Sequence, residues 1–195
     1  ATSGSNYLEA GRDVLIDADA GGATVNGGTG TFYIYGRDIV MRSGTASTAV
    51  STTGTLYVNA YAGGTQGFRI EAEQAPVSVS SGYQQLVLYN GLSLIGGTTA
   101  NASATLSSTS SQYIYAYSSG ANAINLTAGS ASGASAALTG TYQSISGYYS
   151  YHYFSGLNLT AGDAANASAR IASSGGQYVN LGSGSISLHA GNTEG

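Results

Sequence analysis

The sequence predicts an all-β chain wound into a parallel β-helix, and three observations carry that expectation. Leu157-Asn158-Leu159-Thr160-Ala161-Gly162 alternates apolar and polar residues, which puts Leu157, Leu159 and Ala161 on one face of a strand. The same pattern returns at Ile124-Asn125-Leu126-Thr127-Ala128-Gly129, 33 residues earlier (124 to 157), and at Ile186-Ser187-Leu188-His189-Ala190-Gly191, 29 residues later (157 to 186). A strand recurring at such an interval marks a solenoid. The third observation is compositional: charged residues are 7% of the 195, glycine is 30 of them, and lysine and cysteine are absent. A disordered chain needs low hydrophobicity and high net charge, whereas 42% of these residues are hydrophobic. Short side chains stacked rung on rung fit better.

Taken in order, residues 1–75 form a more charged N-terminal part of a single solenoid spanning 1–195. Seven of the nine acidic residues lie there (Glu9, Asp13, Asp17, Asp19, Asp38, Glu71, Glu73), with Arg12, Arg37, Arg42 and Arg69. Two leads, Gly11-Arg12-Asp13-Val14 and Gly36-Arg37-Asp38-Ile39, each open a strand. If those strands stack, outward Asp17 and Arg42 are neighbours on adjacent rungs. Val14–Ala18, Ile39–Gly44, Leu56–Ala60 and Leu92–Leu94 read as earlier copies of the 157 strand, giving about seven rungs.

Residues 76–195 are nearly uncharged and repeat at about 30 residues. One further strand is Ala104-Thr105-Leu106, then Ala136-Ala137-Leu138, then Ala169-Arg170-Ile171. Another is led by Gln112, Gln143 and Gln177, with Gln85 as its expected earlier member. In-phase glutamines can form an amide ladder in which each side chain satisfies the next. Ile124, Leu126, Leu157, Leu159, Ile186 and Leu188 are the expected core of the remaining strand. Three short strands per repeat make the helix three-sided, and a right-handed winding is expected.

The runs INLTAG, LNLTAG and ISLHAG, with the leads GRDV and GRDI, resemble repeats of filamentous-haemagglutinin-type secreted β-solenoids. That resemblance implies a bacterial surface adhesin or fibre, exported and extracellular. This chain departs from the family's shorter, more regular repeat and shows no recognisable secretion-signal domain.

Chemistry has little to work with. Parallel β-helices include polysaccharide lyases and hydrolases, whose sites need clustered carboxylates with a base or metal. The acidic pairs are Asp17 with Asp19 and Glu71 with Glu73, and each reads as a solvated strand face. Calcium at Asp17 and Asp19 lacks the repeated GGxGxD signature. His152 and His189 are far apart and read as surface residues, and no nucleophile elbow is present. No catalytic residue, metal or cofactor is expected. Scattered arginines and a net charge of −4 disfavour nucleic acid, and no apolar run is long enough to span a membrane.

The aromatic content is more informative. Tyrosine occurs 16 times and is densest at Tyr148–Phe154. If that patch continues as a strand, Tyr149, Tyr151 and Tyr153 share a face, and the patch is an insertion protruding or folding over a corner. Exposed tyrosines can stack on sugar rings or pack on a neighbouring fibre; a corner packed on its own rung is the plainer alternative. Tyr113, Tyr115 and Tyr117 form a second row.

Four sequons stand at Asn101, Asn125, Asn158 and Asn166, expected to be ladders and turns in a bacterial protein and glycan acceptors in a eukaryotic secreted one. At the ends, Ala190–Gly195 runs in the phase of Ala128–Gly133, and Ala1-Thr2 would continue it. No capping helix is visible, so the expected partner is the chain itself, stacked end to end and bundled laterally. The expected function is therefore a self-stacking structural segment of an extracellular fibre or adhesin. A carbohydrate-binding stalk is the alternative, and a lyase is the third. Ice binding is disfavoured because regular Thr-x-Thr rows are absent.

Overall fold

A computed structural model of the chain describes residues 4–118, 120 and 123–191. The expected phase match between the two ends involves Ala1, Thr2 and Asn192–Gly195, which lie outside the described residues. Among the described residues there is no helix, only twenty short strands. The first turn is β1 (Asn6–Glu9), β2 (Val14–Ala18) and β3 (Ala23–Asn26). The second is β4 (Thr31–Gly36), β5 (Ile39–Ser43) and β6 (Thr48–Ser51). The third is β7 (Thr55–Ala60), β8 (Phe68–Glu71) and β9 (Val77–Ser81). The fourth is β10 (Tyr83–Leu88), β11 (Leu92–Ile95) and β12 (Ala104–Ser108). The fifth is β13 (Ser111–Ala116), β14 (Ile124–Thr127) and β15 (Ser135–Gly140). The sixth is β16 (Tyr142–Gly147), β17 (Gly156–Thr160) and β18 (Ser168–Ser173), followed by β19 (Gln177–Val179) and β20 (Ser185–His189).

Each strand pairs in parallel with its copy one turn away, so three sheets form the sides of the solenoid. Sheet A is β1-β4-β7-β10-β13-β16-β19, sheet B is β2-β5-β8-β11-β14-β17-β20, and sheet C is β3-β6-β9-β12-β15-β18. The chain is thus a three-sided parallel β-solenoid of about six turns.

Alternation fills the interior with columns of like residues. In sheet A the column runs Leu8, Ile34, Val58, Leu86, Ile114, Ile145, Val179. In sheet B it includes Phe68, Leu92, Ile124 and Leu157, with Leu126 and Leu159 alongside. The middle of each column is fully buried, and each such side chain contributes roughly 1.5–3 kcal/mol. Small residues such as Ala104 and Ala136 on sheet C keep the core narrow.

Corners are set by residues that tolerate close backbone approach. Gly129, Gly162 and Gly191 close the sheet B repeats, and a Cβ on any of them would meet the carbonyl oxygen of the glycine one rung back. This is the physical content of the Thr-Ala-Gly and His-Ala-Gly motif ends. Asn101, Gly133 and Asn166 share another corner column, all with positive φ of 62°, 71° and 60°. Asparagine is the side chain best suited to that region after glycine, so two of the four sequons are turn residues.

Three expectations are corrected. Leu56–Ala60 lies on sheet A as β7, paired with β4 and β10; the sheet B strand of that turn is β8. A period-two pattern is common to all three sheets, so alternation alone does not say which side a strand occupies. Gln85 is not in the amide ladder: it pairs with Tyr113 and faces out, while Gln84 takes the inward place. A one-residue slip exchanges faces. Ile186 and Leu188 sit in register with Leu157 and Leu159 as expected, yet they are 61% and 72% exposed. They belong to the last described strand of sheet B, with no described rung packed over them.

Candidate functional site

The solenoid sorts its aromatic residues by the hydroxyl. All three phenylalanines, Phe32, Phe68 and Phe154, are buried, and none of the sixteen tyrosines is. The tyrosines also share one side. Sheet A strands carry Tyr7, Tyr33, Tyr35, Tyr57, Tyr83, Tyr113, Tyr115, Tyr142 and Tyr178 on their outer face, while the strands of sheets B and C carry none. The remaining seven lie on the corner just after sheet A.

That corner is built by extending the ladder one residue past the strand. Tyr61, Tyr89, Tyr117 and Tyr148 donate their backbone N–H to Gly36, Ala60, Leu88 and Ala116, at 2.8–3.0 Å. The four residues therefore form a column along the edge, in which the rings of Tyr89, Tyr117 and Tyr148 meet. Neighbouring rings touch with centroids 4.9 Å apart for Tyr89 and Tyr117, and 5.0 Å for Tyr117 and Tyr148. On the sheet face, Tyr7 stacks on Tyr33 at 4.7 Å and an interplanar angle of 7°. Tilted and stacked contacts of this kind add about 0.5–1.5 kcal/mol per pair beyond area burial.

The 148–154 patch is a turn, not a strand, so Tyr149, Tyr151 and Tyr153 do not line one strand face. His152 donates its backbone N–H to the Tyr149 carbonyl at 3.0 Å and closes the turn. Gly147 is required because a Cβ there would collide with the carbonyl oxygen of His152. Phe154 then plunges into the core and pins the insertion. Tyr149 and Tyr151 stack at 5.7 Å on the outside, whereas Tyr153 turns toward Gly182. The insertion folds over its corner, with the two outer rings presented to solvent.

Two grooves open along this edge. One, of about 200 Å³, lies among Tyr57, Asn59, Tyr89, Tyr117 and Tyr148; the other, of about 230 Å³, lies in the turn against His152 and Tyr178. Tyr148 lines both. Each groove holds one buried polar atom without a hydrogen-bond partner, Asn59 Oδ1 and His152 Nδ1. Burial is the main cause that raises the phenol pKa of Tyr57, Tyr89 and Tyr115, and the hydrogen bond between Tyr149 and Tyr117 raises that of Tyr149.

Asp17, Glu71 and Glu73 of the two acidic pairs are ion-paired on the surface. Asp17 faces Arg42 across one rung, as their spacing predicts, with Arg42 Nη2 2.5 Å from Asp17 Oδ2. Arg69 holds Glu71 at 2.8 Å, and Glu73 lies 3.8 Å from Arg42. Among the described residues no three of His, Cys, Asp and Glu gather as for a metal. His189 follows Thr127 and Thr160 in the outer column of sheet B, far in sequence and on a different side from His152.

The amide ladder is real in its corrected form. Gln112 Nε2 donates to Gln84 Oε1 at 2.5 Å, Gln143 to Gln112 at 2.9 Å, and Gln177 to Gln143 at 2.7 Å. Gln84 ends the chain of bonds on the Ser107 carbonyl. Outside, Asn158 donates to Asn125 at 2.8 Å, so the other two sequons are a ladder.

Sequence reasoning missed Asp38. Its buried carboxylate accepts the backbone N–H of Thr65, Gln66 and Gly67 at 2.7–2.9 Å and organises the loop before β8. Burial works to raise its pKa, but those three donors outweigh it and hold the carboxyl below the ordinary range. The Gly-Arg-Asp echo was the available signal, although Asp13 in the other copy instead meets Arg37 on the surface at 3.1 Å. Asn59 was missed because its strand was assigned to the wrong side.

No family model, curated protein or solved structure matches this chain.

Proposed function

We propose that this chain is a rod-forming structural segment of an extracellular bacterial fibre or adhesin, working as the filamentous-haemagglutinin-type solenoids it resembles do. The observation that supports this most is the repetition of the stacking: every described strand pairs in parallel with its copy one turn away, and the inner columns carry self-complementary amides and like apolar residues. Contacts that repeat at every rung make a stiff rod that grows by adding rungs. The role is mechanical and calls for no cofactor or catalytic group.

Electron microscopy of the purified chain at neutral pH tests this. Uniform rods longer than one subunit are expected, shortened in a variant carrying Ile186→Asp and Leu188→Asp. Only short monodisperse particles, unchanged by those substitutions, would refute self-stacking.

The tyrosine side favours a second role, that of a carbohydrate-binding stalk. A rod needs no aromatic residues on its surface for stiffness, yet here all sixteen tyrosines line one side and its corner. Retention on immobilised glycans, weakened by Tyr149→Ala or Tyr151→Ala with assembly intact, is the corresponding expectation.

A further inference from the structure

We propose that the corner of sheet A is a binding track for an extended, neutral polysaccharide, with one sugar ring seated over Asn59 and another over His152. The proposal rests on the carbohydrate-binding role just described and names its subsites. The two grooves lie on either side of Tyr148, which lines both, and the proposed path crosses its ring. That path runs along the solenoid axis from β7, which carries Asn59, to the end of β19 beside Tyr178. Four rung steps of about 4.8 Å make it roughly 19 Å long, enough for three or four linked pyranose rings in extended form.

The chemistry of the grooves selects the occupant. Tyr57, Tyr89 and Tyr117 offer flat faces on which the C–H side of a pyranose can lie. Asn59 Oδ1 can only accept a hydrogen bond, and in this structure nothing donates to it. A buried acceptor left empty costs on the order of a lost hydrogen bond, and a ligand hydroxyl recovers it. His152 Nδ1 stands in the same position in the second groove. Both atoms lie beneath tyrosine rims, so a ring enters by turning a partly exposed tyrosine aside, a motion open to surface side chains on fast timescales.

A proline-rich peptide, the other usual occupant of tyrosine-lined grooves, fits less well because proline has no N–H to give to Asn59. No Asp, Glu, Lys or Arg lines either groove, so a charged sugar gains nothing from the track.

The test is calorimetric titration of the whole chain with cellohexaose, xylohexaose and β-1,4-mannohexaose, with pentagalacturonate as the acidic control. At least one neutral hexasaccharide is expected to bind at neutral pH, with the acidic control inert. Tyr117→Ala and Tyr149→Ala should each weaken binding by about tenfold and Asn59→Leu by about fivefold, whereas Tyr117→Phe stays within about twofold. Hydrogen exchange of the β13 amides shows that each variant is folded. Failure of the unaltered chain to bind any neutral hexasaccharide overturns both the track and the carbohydrate-binding role. Binding lost with Tyr149→Ala but untouched by Asn59→Leu and Tyr117→Ala overturns the track alone. So does binding of a decaproline peptide in their place, or self-association that Tyr117→Ala abolishes.

Discussion

The first three turns and the later ones solve one packing problem with different chemistry. The inward column at the start of the sheet A strands is Phe32 and Leu56 in β4 and β7, then Gln84, Gln112 and Gln143 from β10 onward. On the outside of sheet B, the column Asp17, Arg42, Glu71 gives way to Ile95 and Thr127, and its neighbour changes from Arg69 to Ser93, Asn125 and Asn158. One part of the rod is held by apolar contact within and ion pairs without. The other keeps the apolar core and adds amide ladders on both faces. A stacked column of identical groups must be self-complementary, and charges satisfy that only by alternating sign, whereas an amide carries donor and acceptor together. Amide columns can therefore continue indefinitely.

The sharpest way to break the contrast is Gln112→Leu. It strands Gln84 Oε1 and Gln143 Nε2 in the core, and about 4 kcal/mol of destabilisation is expected by denaturant unfolding. Replacing Gln84, Gln112 and Gln143 together by leucine extends the column of Leu56 and should cost far less than that single change, since removing both partners of a buried bond can be nearly neutral. A triple variant worse than the single one would show that the two halves are not interchangeable. In the N-terminal turns, Asp38→Ala frees three backbone N–H groups and should cost about 3 kcal/mol, read as lost amide protection at Thr65–Gly67.

Acid separates the halves next. Asp17, hydrogen-bonded to Arg42, and Asp38 both have carboxyl pKa values below their ordinary range in the folded chain. The unfolded chain then binds more protons over the window between folded and unfolded values, so their stabilisation is complete above about pH 4 and fades as pH falls through the folded values. Hydrogen exchange near pH 3 should show β2, β5 and β8 losing protection while β12 to β15 keep theirs. Smallest of all, Arg42→Met should cost at most ~1 kcal/mol, and less in high salt, because the ion pair with Asp17 is exposed.

Much of this was legible from one sequence. The sheet B strands at 124, 157 and 186 stand out because Thr-Ala-Gly and His-Ala-Gly ends mark both the strand and its corner, and Gln112, Gln143 and Gln177 align by chemistry. Where neither mark exists, alternation gives a strand without an address: it does not tell Leu56–Ala60 on sheet A from a sheet B strand, nor inward Gln84 from outward Gln85. The tyrosine wall is hidden by the same ambiguity: Tyr33 and Tyr57, or Tyr83 and Tyr113, are separated in sequence and become neighbours only when turns of unequal length are laid on one another. Asp38 and Asn59 act through loops and grooves that exist only after that stacking.

The one-turn spacing of every pairing has a kinetic side. Strand partners are separated by about one turn, from 24 residues between Thr31 and Thr55 to 34 between Gln143 and Gln177, so no described strand pairing is local and none spans the whole chain. A turn can settle only on a neighbour already in place, and once settled it becomes the template for the next. The structure grows by accretion at a front, and a chain emerging end first from a membrane or a ribosome could fold at the pace of its own delivery.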